Sequence, residues 1–584
     1  MTLPEANVGV SHSLRVARRP RQRVKHRVGL EGILRRVLLA LVGVGLMLFL
    51  VYPLYRALVR SLQDRSGTFV GLENYIEYFS TPATSISFQN SLYISVVSTV
   101  ITVVLAFIYA YALTRTTIAG RGILRAVALL PMFIPSLVQA LAFIYMFGNN
   151  GFITRLLGVN IGLYGKVGII MSEVFYAFPH ALIILSTALA LADSRLYEAA
   201  ESLRTSSRRA FWTITLPGVR YALLSAAFVA FTLALTDFGA PKVVGGDYAV
   251  LATDIYTRVM GQQDFEMGAT ISTILLVPAV LVFVLDRIVQ RRQVALVTSN
   301  IVPQGPKPHG RLVQMLITVS CVAVAGFILV VYGTVIVGAF TRFWPYNLEP
   351  TLRNFTFDIV GVQRRGGALV ILWNSVQMAG MTALFGTIAV FVSAYLIEKS
   401  RGMSTARSIL YLLCVVPLAV PGMVKGLSYI FAFNDPANPL YILYGTMLLL
   451  SISTIMHYFT VPFLTAMTAL KQLDPEFESI GESLDAPFYR TFWRVTIPVA
   501  LPSILSIAMY FFLNAMVTLS AIVFLFVPGK EVASLAVMLL DDAGESAQAM
   551  AMSLLIVLVG FTARGLFHLA TRGVERRTQA WKVR

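Results

Sequence analysis

The chain alternates long apolar runs with short polar, mostly basic breaks. Val37 to Tyr55 is the first run, nineteen residues without a charge between Arg36 and Arg56. A bilayer-spanning helix needs about 20 mainly apolar residues. The pattern predicts twelve spans, at 37–58, 92–114, 124–147, 167–191, 219–242 and 268–289, then 312–340, 375–397, 407–432, 442–469, 500–527 and 548–570. The expected fold is an all-α polytopic membrane protein built from two sets of six helices.

The pattern also repeats. "NSLYISVVSTVITVVLAFIYAYALTR" from Asn90 corresponds to "NSVQMAGMTALFGTIAVFVSAYLIEK" from Asn374, and "PMFIPSLVQAL" from Pro131 to "PLAVPGMVKGL" from Pro417. A polar pair follows: "EAAESLRTSSRRAFWTITLP" from Glu198 and "SIGESLDAPFYRTFWRVTIP" from Ser479, identical at eight of twenty positions. The order is the same in both halves, with offsets of 284, 286 and 281. Six spans per half is an even number, so the halves enter the membrane in the same direction. The segment "VTSNIVPQGPKPHGRL" between them is rich in Pro, Gly and polar residues and reads as a linker. The expected domains are a basic tail (1–36), a first half (37–292), a linker (293–311), a second half (312–571) and a second tail (572–584).

Composition agrees with a membrane protein: 57% of the 584 residues are hydrophobic, 13% are charged, and mean hydropathy is +0.74. The net charge of +18 sits at the edges of the spans. Residues 1–36 hold nine Lys/Arg against two Asp/Glu, residues 286–311 five against one, and the tail from Arg564 six against one. Basic residues collect in inner loops, so these segments and both termini are expected on the cytoplasmic side. The loop 528–547 is biased the other way, with Lys530 against Glu531, Asp541, Asp542 and Glu545. This distribution accounts for the charge without nucleic acid. Cys321 and Cys414 fall inside apolar spans and make no disulfide framework. The long basic stretch to Arg36, with no small-residue cleavage site after the first run, does not read as a cleaved leader.

In this topology both polar repeats face the cytoplasm. Asp193 and Asp474 are placed to cap helices, and Pro475 suits a first helical position. Leu196, Ala199 and Leu203, and likewise Phe477, Ile480 and Leu484, follow at helical spacing. A break, a short helix with Phe211–Trp212 or Phe492–Trp493, and a proline that restarts the span are expected next. The apolar stripe either packs back on its own bundle or docks into a groove on a partner. Two copies would then need two equivalent grooves.

This pattern resembles the EAA loop of ABC importer permeases: Glu-Ala-Ala, three residues, Gly, then a run ending Ile-x-Leu-Pro. Glu198, Ala199, Ala200, Ile214, Leu216 and Pro217 match it, whereas the second half carries Ser479, Ile480 and Gly481, closing with Val495, Ile497 and Pro498. The loop glycine is replaced by Arg204 and Asp485, which puts the loop's conformation in question, since glycine allows positive φ at low cost. The resemblance, to fused two-half permeases of the MetI-like type, covers roughly 37–292 and 312–571. It implies a bacterial inner-membrane subunit fed by an extracytoplasmic solute-binding protein. Two copies of a cytoplasmic ATPase would grip the two loops, and ATP and Mg would sit on that ATPase, with no cofactor on this chain. The chain has no G-x-x-x-x-G-K-[ST]; Gly165–Lys166 is followed by Val167 and Gly529–Lys530 by Glu531.

Pro131 and Pro135, and Pro417 and Pro421, fall inside the third span of each half, where proline kinks a helix. Repetition points to helices lining the path. Gln139 and Lys425 stand four residues further on, at equivalent positions. A mid-helix lysine costs about 2.5–3.5 kcal/mol on insertion scales. Lys425 either snorkels to the outer edge or meets an anionic solute. Glu173 and Asp237 are placed near the outer mouth, as interface charges or parts of a gate. His180 and His457 read as packed side chains, and no spaced cluster suggests a metal. "TDFGAPKVVGGDYAVLATDIYTRVMGQQDFEMGA" and "FWPYNLEPTL" resemble the 2-aminoethylphosphonate subgroup, which makes a phosphonate the expected solute and iron(III) the alternative. An ion-coupled secondary transporter would also use repeats, but would not need two docking loops. No nucleophile–base or paired-carboxylate arrangement suggests an enzyme.

Overall fold

The computed structural model describes residues 30–294, 305, 310–356, 367–400, 403–474, 476–483 and 486–578. Residues 1–29 and 579–584 of the tails, most of the linker, Pro475, Leu484 and Asp485 lie outside these residues. Among the described residues nine continuous helices can cross a bilayer: Glu31–Ser61, Thr84–Arg115, Lys166–Ala190, Ser207–Thr236, Phe265–Gln290, Arg311–Phe340, Gly367–Lys399, Phe488–Val517 and Ser546–Thr571. Three further pairs are bent: Arg121–Phe133 with Ser136–Leu157 by 106°, Ser404–Ala419 with Gly422–Phe433 by 112°, and Met447–Tyr458 with Thr460–Lys471 by 61°. Together they stand where the twelve spans were expected. A two-stranded hairpin, Thr341–Phe343 with Asn347–Pro350, follows the seventh span.

The bent pairs are broken spans, since each travels the length of a straight neighbour. Gln314, at the start of the seventh span, donates to Thr117 O (3.0 Å) just before the third begins. Near the other end of the seventh span, Tyr145 of the third stacks on Trp344 at 5.0 Å. The ninth runs along the first span in the same way, with Leu39 buried in one cluster with Leu410 of its first arm. Tyr429 donates to Phe49 O (2.6 Å), and Arg56 pairs with Asp435 at 3.2 Å. The Ala437 N–H, followed by the Arg56 guanidinium, holds the Asp435 carboxyl below its usual range. The tenth runs along the eighth, from Ser451, which donates to Met378 O (3.4 Å), to Leu473, whose carbonyl accepts from Lys399.

Pro217 and Pro498 do not restart their spans. Helix is continuous from Ser207 and from Phe488. A proline has no N–H and its ring crowds the carbonyl four residues back. A five-residue π-turn absorbs that crowding ahead of each: Phe211–Thr215 before Pro217 and Phe492–Thr496 before Pro498. The first span repeats the device, with Met47–Val51 before Pro53. These helices therefore start earlier than expected and end earlier too, at Thr236 and Val517.

The two halves interlock. Leu39, Leu46 and Leu50 of the first span are buried in a cluster with Val390, Phe391 and Phe459 of the second half. The first helix of the second half crosses the other way, and its Tyr332 donates to Leu130 O. Apolar side chains such as Leu41 and Val44 stay exposed on the spans, as a lipid-facing surface requires.

Close backbone approach fixes the broken spans. A Cβ on Gly239 would lie 2.6 Å from Ser136 Oγ, and one on Gly422 would lie 2.9 Å from Ser520 Cβ. Ser136 is equivalent to Gly422, and Gly239 to Ser520, so the serine and glycine have changed places between the halves. Gly422→Ala is expected to destabilise by about 1–3 kcal/mol, as overpacking does. Ser520→Gly in the same chain should restore most of it by recreating the space found in the first half. Thermal unfolding in detergent checks this, and a double variant no more stable than the single one would sink the pairing.

Candidate functional site

Each polar repeat forms a short helix hung between two spans. Asp193 caps Ser194–Ser202 by accepting from Arg195 N (3.1 Å), and Asp474 accepts from Glu476 N (2.9 Å) ahead of Glu476–Ser483. The first helix ends in a Schellman motif, with Thr205 N donating to Ala200 O (2.8 Å) and Arg204 N to Glu201 O (2.9 Å). Arg204 takes φ +52° at the place of the family's glycine. The conformation put in question by the substitution is thus adopted by an arginine, at roughly 1–2 kcal/mol. The second loop makes the matching bond, Ala486 N to Gly481 O at 2.9 Å.

The stripe is not folded back on the bundle. Leu196 is 58% and Leu203 80% exposed, and in the second loop Phe477 is 39% and Ile480 54% exposed. Glu198, Ala199, Ser479, Pro217 and Pro498 are also at the surface, while Ala200 is buried. Gly481, equivalent to Ala200, leaves room for Thr491, whose Oγ1 would lie 2.7 Å from an added Cβ. Leu484 lies outside the described residues.

The loops are rigidly joined to the spans. Arg115, at the end of the second span, donates to Leu189 O (2.8 Å) and stacks over Tyr197 of the loop helix at 5.0 Å. The Tyr197 hydroxyl meets Thr215 Oγ1 at 3.0 Å. Lys399, equivalent to Arg115, reaches Leu473 O at 3.4 Å. Phe211 packs edge-on against Tyr111, and Phe492 lies 4.6 Å from Tyr395. The sequence reading missed these clamps, although "ALTR" and "LIEK" carry the paired basic residues at one offset.

The proline pairs break their helices instead of kinking them. Pro131 and Pro417 sit in 3₁₀ turns, Leu130–Phe133 and Val416–Ala419, and Pro135 and Pro421 cap the helices that follow. Gln139 Nε2 donates back to Pro131 O (2.9 Å) and Ile134 O (3.0 Å). Lys425 Nζ donates to Pro417 O (2.6 Å) and lies 3.3 Å from His457 Nδ1. Lys425 is 2% exposed. Its ammonium is turned inward onto that carbonyl and not outward to the membrane edge. It does what its equivalent glutamine does, tying down a carbonyl that the break releases.

Glu173 and Asp237 come together beside the first break. Asp237 accepts from Ser136 Oγ (2.7 Å) and from Ala240 N (2.9 Å), joining the broken span to the short helix Gly239–Val244. Glu173 is fully buried and meets Asp237. Tyr176 follows Glu173 by one helical turn, and Tyr458 and Tyr510 of the second half pack edge-on against each other at 6.3 Å. The tyrosines were not singled out in the sequence. His180 packs on Tyr176 with its Nδ1 3.2 Å from Tyr176 O. No group of three or more His, Cys, Asp or Glu side chains converges among the described residues.

Residues 102–294 match the family model of the binding-protein-dependent transport system inner membrane component. The chain is 30% identical over 542 residues to a ferric transport system permease protein, FbpB, of Actinobacillus pleuropneumoniae, covering 89% of this chain and 76% of that protein. It is 25% identical over 546 residues to the Fe(3+)-transport system permease protein FbpB 2 of Haemophilus influenzae, covering 91% and 97%. The sulfate transport system permease protein CysW of Synechococcus elongatus is 25% identical over 213 residues, 36% of this chain but 72% of that protein. The ferric relatives thus align along nearly the whole chain, and the sulfate relative along a stretch the length of one half.

The lysine assignment has a direct check. Lys425→Gln should keep normal expression and melting temperature, because glutamine holds the same carbonyl at the equivalent break. Lys425→Met removes the donor and should cost about 1–3 kcal/mol, the usual penalty for a buried unsatisfied group. Equal stability of the two variants in detergent melts would contradict the assignment.

Proposed function

The chain belongs to the family of binding-protein-dependent inner-membrane permeases and is a permease subunit of an ABC importer, and from that premise we propose that its solute is iron(III). Support comes from relatives named as ferric permeases that align over 89% and 91% of the chain. The phosphonate reading rested on two loop resemblances, and the Lys425 charge that would have suited an anion is engaged by Pro417 O.

The observation that carries the coupling mechanism is the pair of uncovered apolar stripes. Leu196 and Leu203, with Phe477 and Ile480, form two ridges at matching places in the repeat. Each ridge fits a groove on one of two ATPase copies on the cytoplasmic side, and ATP and Mg act there. When the ATPase pair closes, Arg115 and Tyr197, and Lys399 in the second half, carry the movement into the spans. The broken third and ninth spans line the path and rock with their halves. An external binding protein delivers the solute, so the permease needs little affinity of its own.

Leu203→Glu combined with Ile480→Glu should lower ATPase recovery in affinity purification about tenfold or more, since losing one buried anchor commonly removes over 1.4 kcal/mol. The gel-filtration profile of the membrane chain should be unchanged, and undiminished recovery would refute the docking role. For the solute, cells carrying the full transporter should accumulate radiolabelled iron(III) in a way that excess 2-aminoethylphosphonate does not inhibit. Competition by the phosphonate would overturn the iron reading.

A further inference from the structure

Two carboxylates face each other inside the bundle with nothing positive between them. Glu173 is 0% exposed, and neither of its carboxylate oxygens finds a hydrogen-bond donor. The group it meets is Asp237, which is itself an acceptor and already takes bonds from Ser136 and Ala240. Neither residue has a salt-bridge partner among the described residues. Burying an unpaired carboxylate is costly, and a close second one raises that cost. Such a pair needs a shared proton or a cation.

The surroundings favour the cation. Tyr176 stands one helical turn from Glu173 in the fourth span, and Tyr458 and Tyr510 of the second half pack edge-on with rings 6.3 Å apart. Asp237 and the three tyrosines keep some residue exposure, whereas Glu173 has none. A shared proton would need the carboxylates alone, whereas a row of hard oxygens crossing between the halves suits a hard, highly charged ion. The fold does not demand the acids either. At the equivalent places, 281 residues on, stand Thr454 and Thr518.

We propose that Glu173 and Asp237, with the phenols of Tyr176, Tyr458 and Tyr510, form a way station for a hard trivalent cation within the membrane domain. In the iron reading, on which this rests, the ion is the solute itself, passing between oxygens of the two halves after the binding protein releases it.

The test uses the full chain in nanodiscs, without ATPase or binding protein, titrated with iron(III) nitrilotriacetate. The expected result is a phenolate-to-iron charge-transfer band in the visible, with saturable binding. Glu173→Gln should abolish the band and weaken binding about tenfold or more. That variant should fold normally, because its amide can donate to Asp237. Tyr458→Phe with Tyr510→Phe should shrink the band while leaving the melting temperature unchanged. No band in the native chain, or an equal band and affinity in Glu173→Gln, overturns the proposal. Iron uptake by whole cells separates the two readings. Uptake that depends on this chain but is indifferent to Glu173→Gln leaves the iron reading standing without the way station. A phosphonate-competed transporter whose chain still shows the band removes the iron reading and keeps the site.

Discussion

Inside a bilayer every backbone N–H and C=O must find a partner within the protein, and much of this structure answers to that constraint. A helix meets it automatically, and a break in a helix does not. The third and ninth spans turn through 106° and 112° at Pro135 and Pro421, and the carbonyls of Pro131 and Pro417 lose their helical partners. One long polar side chain per break replaces them, Gln139 in the first half and Lys425 in the second. The π-turns ahead of Pro53, Pro217 and Pro498 answer the same constraint with backbone alone.

The duplication is kept in geometry more strictly than in residue identity. Where one half has Ser136 against Gly239, the other has Gly422 against Ser520. Where the second loop has Gly481 against Thr491, the first has Ala200, with Ala210 at the place of the threonine. A serine or a methyl group lost on one element is regained on the element facing it, which preserves total volume at a close contact. The weak second copy of the Glu-Ala-Ala signature follows from this. Gly481 is needed because Thr491 takes up the space, and the family model correspondingly matches in the first half. The first span of each half then packs on the other half, so neither set of six is a separate packing unit.

Much of this was legible in the chain. Twelve spans, the repeat offsets and the caps at Asp193 and Asp474 follow from apolar run length and short-range hydrogen-bonding chemistry, which are local properties. What failed depended on contacts distant in sequence or on a choice between backbone solutions. Proline announces a disturbed helix but does not say whether a π-turn absorbs it, as at Pro217, or the helix turns sharply, as at Pro135. Lys425 looked like a pathway charge because its carbonyl partner exists only after the break has formed. Its equivalence to Gln139 already held a clue, since both side chains can donate an N–H to the carbonyl that the break releases. Glu173 and Asp237 were noticed separately, and nothing local says that 64 residues of chain return to place one against the other.

The two ends of the molecule treat the repeat differently, and that difference bears on mechanism. At the loop end the copies agree closely: the same 6→1 backbone bond, the same π-turn, a basic residue clamping each loop, and an exposed apolar ridge on each. Such likeness suits the proposed docking of two like ATPase copies, because unequal docking would load the halves unequally. Further along the spans the copies part, with two carboxylates in the first half where the second has Thr454 and Thr518, and a Lys–His contact in the second where the first has Gln139 and Tyr176. On the proposed path between the halves a solute meets each surface once and gains nothing from symmetry. Fusing the halves in one chain lets these inner surfaces differ while the loops remain paired, which two copies of a single-half chain could not do.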